Sequence, residues 1–297
     1  MNADCPQCRR ESPHHFRVGD LNRGITGEIF DYYRCLACNV IFLWPVPGNL
    51  GKYYPSDYYR VPASLEEFEA IAGSERYKIE ILRRFASRGR LLEIGPAYGS
   101  FAYLAKQAGF EVDAIEMDEA CCRFMKDVLG VHAIHSTNME AAVRNSGPYN
   151  VIALWQVIEH LPDLWSTLRL IVQRLAPEGL LVVATPNPDA FQFGVLGRYW
   201  THVDAPRHLE LIPSWTLANY LRRLGMSSLF VTTTDRGSLG WNYFGWAMSL
   251  ANFSSNRHVR KGLRLAGSIV GRILAPIERA EGRGSAYTAV FRKERKA

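Results

Sequence analysis

A short apolar run near residue 90 leads into a turn made of small residues, a pattern that could bind a nucleotide. Residues 91–94 (LLEI) predict a buried strand, and residues 95–99 (GPAYG) place glycine or alanine at every second position. Small side chains allow the backbone to turn tightly and bring its amides close to a ligand at the start of the next helix. Glu93, just before the turn, could accept a hydrogen bond from an amino group of that ligand.

Glu116 helps to indicate which class of nucleotide the turn at residues 95–99 could bind. It ends the next predicted strand, 21 residues after Gly95, where a carboxylate can accept hydrogen bonds from both hydroxyls of a ribose. A dinucleotide site would have the order G-x-G-x-x-G with no acid before it, whereas this chain has E-x-G-x-A-x-G. The order of residues therefore favours a nucleoside cofactor other than a dinucleotide.

Four cysteines near the N-terminus have the spacing of a metal site. Cys5 and Cys8 form one Cys-x-x-Cys pair, and Cys35 and Cys38 form a second. Four thiolates on two such turns suit a tetrahedral Zn²⁺ ion, which would supply much of the stability of so small a module. The two histidines at 14–15 are alternative ligands, but the paired cysteines already complete the set. We therefore predict a structural zinc ribbon.

The positive charge is concentrated at the C-terminal end. The chain has 297 residues, 47% of them hydrophobic, and a formal net charge of +6. Between residues 256 and 297, eleven Lys or Arg stand against three Asp or Glu, a net charge of +8, so the rest of the chain sums to −2. The composition excludes a disordered chain. No apolar leader and no run of about 18 uncharged apolar residues is present, so we expect a cytoplasmic protein.

Predicted strands and helices alternate from residue 90 to residue 234. This alternation is typical of an α/β fold with a doubly wound, mostly parallel sheet, whose ligands bind beyond the carboxyl ends of the strands. We predict three regions: a zinc-ribbon module at 1–60, a helical lead-in at 61–89, and a catalytic domain at 90–297 with a helical insertion at about 238–284.

The glycine loop and its acids resemble the first motif of class I S-adenosylmethionine-dependent methyltransferases, with Ala97 replacing the usual middle glycine. Residues 148–163 (PYNVIALWQVIEHLPD) and 175–188 (LAPEGLLVVATPNP) are similar to the fourth to sixth motifs of that family. The resemblance implies a seven-stranded, Rossmann-like methyltransferase fold and S-adenosylmethionine as cofactor. The predicted cofactor-binding residues are Glu93, Gly95, Ala97, Tyr98, Gly99, Glu116, Met117, Thr137, Asn138, Trp155 and Gln156. Thr137 or Asn138 would hydrogen-bond the adenine, because the acid that often follows the third strand is missing.

The resemblance also implies that Glu159 and His160 line the reaction chamber. Methyl transfer is an in-line displacement at a sulfonium, so the enzyme mainly aligns nucleophile, methyl and sulfur. A hydroxyl or carbon nucleophile benefits from losing its proton, and an imidazole is the natural acceptor. We predict His160 as general base with Glu159 orienting it, and His202 or His208 as alternatives on the next loop. The competing interpretation is that these histidines only brace their loops.

The acceptor is indicated by two weaker resemblances. Residues 199–209 (YWTHVDAPRHL) are similar to a loop of bacterial methyltransferases that often sit among cell-surface glycan and secondary-metabolite genes. The cysteine-rich N-terminus resembles that of sugar C-methyltransferases. A small-molecule or glycan acceptor, such as a sugar, nucleotide sugar or lipid-linked glycan, is therefore expected. Four clustered tyrosines could roof the substrate or only pack against the ribbon: Tyr53, Tyr54, Tyr58 and Tyr59.

Three other functions stay open. An RNA methyltransferase would explain a zinc ribbon and a basic tail, but no Asn-Pro-Pro-Tyr base-flipping motif follows the fourth strand, so a nucleic-acid partner is disfavoured. A non-catalytic protein could have kept the cofactor site. The apolar segments within 240–276, with their arginine-rich flanks, could instead meet a lipid-linked acceptor at the inner membrane surface, or could form a lid.

Overall fold

The computed structural model describes residues 2–55 and 58–295. The strands of its central sheet are β5 (Gly89–Ile94), β6 (Phe110–Glu116), β7 (His132–His135), β8 (Tyr149–Trp155), β9 (Leu175–Pro186), β11 (Met226–Thr232) and β12 (Ala286–Lys293). Their order is β11-β12-β9-β8-β5-β6-β7. Only β12 runs antiparallel to its neighbours in this sheet. The predicted doubly wound, mostly parallel fold is confirmed.

Helices connect these strands and cover the sheet. They are α1 (Leu65–Gly73), α2 (Arg76–Arg83), α3 (Ser100–Gln107), α4 (Glu119–Asp127), α5 (Met139–Arg144), α6 (Leu164–Arg174), α7 (Phe191–Leu196), α8 (Ser214–Arg223), α9 (Arg236–Ala251) and α10 (Arg257–Glu278). Helices α9 and α10 lie between β11 and β12, within the segment where an insertion was predicted. Of the helices in the described ranges, none is long and apolar enough to cross a membrane.

Alternate residues of the strands enter two different apolar cores. Leu91 and Val151 are buried in the core that contains residues of α2, α3 and α4, whereas Leu92 and Ile152 are buried in the core that contains residues of α6 and α8. Successive side chains of a strand point to opposite faces of the sheet, so strands covered on both faces are mostly apolar. This explains the continuous hydrophobic runs at residues 151–155 of β8 and 180–184 of β9.

A second sheet contains the cysteine-rich segment. It consists of β1 (Asn2–Asp4), β2 (Glu11–Gly19), β3 (Ile29–Arg34), β4 (Ile41–Leu43) and β10 (Glu210–Leu211), in that order and antiparallel throughout. We call this sheet the ribbon sheet. Its last strand comes from far along the chain, and its Phe42 shares a core with Leu92 of the central sheet. The boundaries predicted at residues 60 and 89 stay predictions.

Helix α5 is the main element that the sequence pattern did not predict. It has six residues and follows its N-cap Asn138, whose side-chain oxygen accepts a hydrogen bond from the backbone N–H of Ala141. So short a helix has too few turns to produce an apolar period.

Candidate active site

The turn after β5 requires the small residues that the sequence places there. Gly95, Ala97 and Gly99 all have positive φ angles, of 67°, 51° and 90°. An added Cβ would lie 2.7 Å from the Val157 side chain at Gly95 and 2.7 Å from the Met125 side chain at Gly99, so neither position accepts a larger residue without movement. The left-handed conformation is also one that glycine adopts at little cost.

This turn opens at the point where the strand order reverses. Strand β5 pairs with β6 on one side and with β8 on the other, and in such sheets ligands bind in the crevice at this place. A cavity of about 670 Å³ lies there. Six predicted cofactor-binding residues line it: Glu93, Gly95, Ala97, Tyr98, Trp155 and Gln156. We call this part of the cavity the cofactor end.

Four unpartnered polar atoms belong to residues that line the cavity. Glu93 Oε2, Ser100 Oγ, Trp155 Nε1 and Glu159 Oε1 are buried without a hydrogen-bond partner, and their residues all line it. A buried polar atom without a partner is unfavourable, so such atoms mark a place where a polar ligand can bind. Burial also raises the pKa of Glu93 to about 8, although nearby Lys78 lowers it. The wall therefore suits a ligand with an amino group and ring nitrogens or hydroxyls.

Glu116 is held by the backbone of its own surroundings. Its carboxylate accepts hydrogen bonds from the N–H groups of Ala97, Met117 and Asp118 at 2.9, 2.7 and 2.9 Å, and burial raises its pKa. Glu116 thus connects the glycine loop to the end of β6, and it does not line the cavity.

The remaining predicted cofactor residues also lie outside the cavity lining: Gly99, Met117, Thr137 and Asn138. The Met117 side chain is exposed, and that of Asn138 caps α5. The predicted adenine contacts of Thr137 and Asn138 therefore stay predictions, with the Asn138 oxygen already engaged.

The predicted catalytic histidines meet at the other end of the cavity, which we call the acceptor end. His160 Nδ1 lies 3.0 Å from the Arg207 carbonyl oxygen and 2.9 Å from the Tyr54 hydroxyl. His208 Nδ1 lies 2.7 Å from the His202 carbonyl oxygen, and the rings of His160 and His208 are 4.6 Å apart. A carbonyl oxygen only accepts, so each Nδ1 carries the proton and each Nε2 keeps its lone pair.

Burial keeps the imidazoles of His160 and His202 neutral. It lowers the pKa of both His160 and His202 to about 3. His202 differs in its contacts, because its Nε2 faces the Trp241 carbonyl oxygen at 3.4 Å and its ring packs against Trp200. His160 therefore fits a proton acceptor with a fixed tautomer better than His202 does.

Glu159 lies fully buried beside His160 and His208. Its Oε2 accepts a hydrogen bond from the Thr185 hydroxyl at 2.9 Å, and burial raises its pKa. One ligand atom each of Glu159, His160 and His208 lie within 4.8 Å of one another. Two imidazoles and a carboxylate are also a donor set for divalent transition metals, so this cluster has a second chemical use besides proton transfer.

The ribbon sheet contributes to the acceptor end through a buried ion triad. Arg207 Nη2 lies 2.6 Å from Asp20 Oδ1, at the end of β2, and 2.8 Å from Asp204 Oδ1. Asn22, in the same turn as Asp20, donates a hydrogen bond to the Thr201 carbonyl oxygen at 2.7 Å. The loop that carries His202 and His208 is therefore fixed to the ribbon sheet.

Sequence reasoning missed this contribution. Asn22 and Arg23 line the cavity, but nothing in the local sequence around them indicates a site. Arg207 could have been found, since it lies in the loop motif of residues 199–209 and a buried arginine needs carboxylate partners.

Aromatic side chains complete the acceptor end. Tyr58 and Tyr59 both line the cavity, and the Arg23 guanidinium carbon lies 3.9 Å from the centre of the Tyr58 ring. The Tyr54 hydroxyl is hydrogen-bonded to His160. Tyr53 lies elsewhere, with its hydroxyl donating to Glu28. Helix α9 adds the side chains of Trp241, Phe244 and Met248.

The four predicted metal ligands lie together in the ribbon sheet. The Sγ atoms of Cys5 and Cys38 are 3.5 Å apart, those of Cys8 and Cys35 are 3.4 Å apart, and those of Cys8 and Cys38 are 3.9 Å apart. Tetrahedral zinc with Zn–S bonds of about 2.3 Å separates sulfurs by about 3.8 Å, so the cluster fits this ion.

The two halves of this cluster have the same backbone turn. In one, the Arg9 N–H donates to the Cys5 carbonyl oxygen; in the other, the Asn39 N–H donates to the Cys35 carbonyl oxygen. Both Arg9 and Asn39 have φ angles near 60°. The predicted alternative ligands are not part of the cluster, and His14 contacts Asp31 instead.

A glycine turn beside a crevice at the switch point is the arrangement expected of a class I S-adenosylmethionine-dependent methyltransferase. Comparison with known sequences agrees. The profile of the family described as "Methyltransferase domain" matches residues 70–228, more than half of the chain. The chain belongs to this family.

Relatives with assigned names are similar over part of their length. The "Ubiquinone biosynthesis O-methyltransferase" of Aromatoleum aromaticum is 27% identical over 174 residues, which are 55% of this chain and 72% of that protein. That of Caulobacter sp. is 31% identical over 103 residues, 33% of this chain and 41% of the relative. The alignments with the next proteins of this name span 63% and 60% of their length.

Solved structures show the same fold at low identity. A putative sarcosine dimethylglycine methyltransferase from Galdieria sulphuraria has a TM-score of 0.53 at 14% identity, and the match covers 82% of this chain and 97% of that one. This likeness supports the fold of the catalytic region, and the acceptor has to be argued from the site itself.

Proposed function

We propose that this methyltransferase transfers a methyl group from S-adenosylmethionine to a hydroxyl group of a small-molecule acceptor. One observation carries the proposal: a single cavity joins the unpartnered Glu93 oxygen beside the glycine turn to the Nε2 lone pair of His160. Donor and acceptor can therefore bind at the same time in one continuous space. Relatives named as O-methyltransferases support a hydroxyl as the nucleophile.

Residues of the cofactor end would hold the donor. Glu93 would accept a hydrogen bond from its amino group, and the backbone of Gly95 and Ala97 would allow its close approach. Trp155 and Gln156, after β8, would flank it on the second side of the switch point. S-adenosylmethionine supplies an electrophilic methyl group on a sulfonium, so the protein's task is alignment.

His160 would take the proton of the acceptor hydroxyl through Nε2. The low pKa of this imidazole makes it a weak base, but the hydroxyl becomes strongly acidic as its oxygen forms the bond to the methyl carbon. A neutral imidazole in a fixed orientation is then sufficient, and its Nδ1 proton stays bonded to the Arg207 carbonyl oxygen. Glu159 and His208 would keep the His160 ring in place and stabilise the positive charge that the ring gains with the proton.

The acceptor end favours a compact ring compound with hydroxyl groups. Tyr58, Trp241 and Phe244 offer aromatic faces, and Asn22 and Asp204 offer polar groups beside them. Both a phenolic ring and a sugar ring fit this mixture, since aromatic faces pack against either. The glycan acceptor predicted from the loop at 199–209 therefore stays the second candidate.

A screen with isotope-labelled S-adenosylmethionine tests the proposal. Purified protein is incubated with phenolic compounds, nucleotide sugars, lipid-linked glycans or RNA, and labelled products are identified by mass spectrometry. We expect labelling of a hydroxyl in one of the first three classes, and labelling at least about 100-fold slower with the His160→Ala variant. Labelling of RNA alone would contradict the proposal, and failure to bind the cofactor in calorimetry would indicate a non-catalytic protein.

We propose separately that Cys5, Cys8, Cys35 and Cys38 bind one structural zinc ion. The sulfur separations and the two matching turns support this. Metal analysis should find about one Zn per chain, and a Cys5→Ser/Cys35→Ser variant should lose it and unfold the ribbon sheet. Cys121→Ser is the matched control, because Cys121 is buried outside the cluster. A folded protein without metal would exclude the assignment.

A further inference from the structure

Helix α10 carries an exposed apolar stripe along its outer face. Leu265, Ile269, Ile273 and Ile277 follow one another at four-residue intervals and are 65%, 48%, 69% and 39% exposed. Residues four apart lie on the same side of a helix, so these side chains form one continuous surface. A row of exposed large apolar residues on a single helix indicates an interaction site.

The opposite face of α10 fixes the direction of this stripe. Gly267 and Gly271 pack against α9, where an added Cβ at Gly267 would lie only 2.4 Å from the Trp246 carbonyl oxygen. Ile269 is two residues from each glycine, which is about 200° around a helix. The stripe therefore points away from the body of the protein.

The charges of α10 select the partner. Arg257, Arg260, Lys261, Arg264 and Arg272 are its cations, and its one acid, Glu278, is buried. Arg264 and Arg272 are exposed and flank the stripe. A second copy of this chain docking symmetrically through α10 would bring like charges together. A surface of anionic lipids offers acyl chains for the apolar residues and negatively charged headgroups for the cations.

We propose that α10 lies in the interface of an anionic lipid bilayer, with Leu265, Ile269 and Ile273 inserted between the lipids. Helix α9 separates α10 from the cavity, because Trp246 faces α10 while Phe244 and Met248, two residues to either side, line the cavity. Because α10 packs against α9, and α9 lines the acceptor end, binding of α10 to a bilayer would act on the acceptor end through α9. The proposal goes beyond methyl transfer and holds for any acceptor.

Flotation of the full chain with vesicles tests this. We expect binding to phosphatidylcholine vesicles that contain phosphatidylglycerol, weakening with added salt, and little binding to phosphatidylcholine alone. Arg264→Gln/Arg272→Gln should lower the partition coefficient about 25-fold, since each cation near such a surface contributes about fivefold. Ile269→Glu/Ile273→Glu should abolish binding, and Val128→Glu is the control, because Val128 is 46% exposed just after α4 and lies outside α10 and the cysteine cluster.

Two results would overturn the proposal. One is absence of binding to the anionic vesicles by a protein whose circular dichroism shows it to be folded. The other is a concentration-dependent dimer in sedimentation equilibrium that Ile273→Glu dissociates, since the stripe would then serve a second copy. Circular dichroism of each variant separates loss of binding from loss of folding.

Discussion

The two ends of the cavity are built in different ways. The cofactor end comes from the last residues of two adjacent strands, β5 and β8, and from the residues that directly follow them. The acceptor end is assembled from Asn22 in the turn after β2, His160 after β8, His208 of the loop before β10, and Phe244 of α9. One end depends on local backbone geometry, whereas the other depends on contacts between distant segments. Substitutions should therefore affect donor binding and acceptor chemistry separately.

The largest effect should come from the buried ion triad that holds the acceptor end together. Arg207→Leu leaves Asp20 and Asp204 buried without their cation, which should cost about 3–5 kcal/mol of unfolding free energy. Urea unfolding measures this. In the fraction that stays folded, cofactor affinity should be kept and turnover lost.

The exposed pair of Arg295 and Glu178 provides the control for that measurement. Its atoms are 2.7 Å apart, but both side chains are more than half exposed, so Arg295→Leu should cost less than about 1 kcal/mol. Equal costs for the two variants would show that the triad does not brace the acceptor end.

The next effect separates the two ends kinetically. His160→Ala removes the proposed proton acceptor and should lower kcat by about 100-fold to 1000-fold, while the Kd of S-adenosylmethionine changes less than about twofold. Steady-state assays of methyl transfer give kcat, and calorimetry gives the Kd of S-adenosylmethionine. His132→Ala is the control, because His132 is exposed and contacts Asp113 away from the cavity. Unchanged kcat would remove His160 from the mechanism.

A change at the cofactor end should have the reverse signature. Glu93→Gln keeps the size of the side chain, but a glutamine cannot release a proton to become the carboxylate that would pair with the donor's amino group, so Kd should rise about 10-fold to 100-fold. At saturating donor, kcat should be close to that of the unchanged protein. Glu111→Gln, on the exposed side of β6, is the control. A fall in kcat alone would blur the distinction between the two ends.

The same substitution should change how stability depends on pH. Burial raises the pKa of Glu93 from 4.5 to about 8, so the folded protein holds this proton more tightly than the unfolded chain. Its contribution to stability is fully present below about pH 4.5 and is lost as the pH rises through about 8. Without cofactor, Glu93→Gln should therefore gain thermal stability over the unchanged protein at about pH 8, but not at about pH 4. Parallel melting curves would contradict this.

The smallest effect is an expected absence of change. A base acts in its deprotonated form, and burial lowers the pKa of His160 to about 3. At saturating substrates, kcat should therefore vary little from about pH 8 down to about pH 5 on account of this group. Two results would favour metal binding as the use of the Glu159, His160 and His208 cluster. One is a loss of kcat with a midpoint near the ordinary histidine pKa, and the other is a loss of activity when a chelator removes a required divalent cation.

The same contrast explains what the sequence could predict. Gly95 and Gly99 were found because the chemistry of a tight turn and the spacing to Glu116 are local properties. The alternation of strands and helices is local as well, and it predicted the central sheet. The cysteine pairs were found because thiolates at this spacing have few other uses in such a module.

The rest depends on contacts that no periodicity encodes. Asp20 and Arg207 are 187 residues apart, and only the folded chain brings their charges together. Strand β10 has two residues, too few for an alternating pattern. The ribose contact of Glu116 stays a prediction, and the three backbone amides that donate to its carboxylate could not be foreseen from the sequence.

Strand β10 has a consequence for the order in which the protein can form during synthesis. Residues 2–43 leave the ribosome well before Glu210 and Leu211, so the edge of β4 that these residues cover is at first unpaired. An open strand edge is a place where chains stick to one another. The nascent chain therefore exposes an aggregation-prone strand edge in the interval between translation of its first sheet and translation of residue 211.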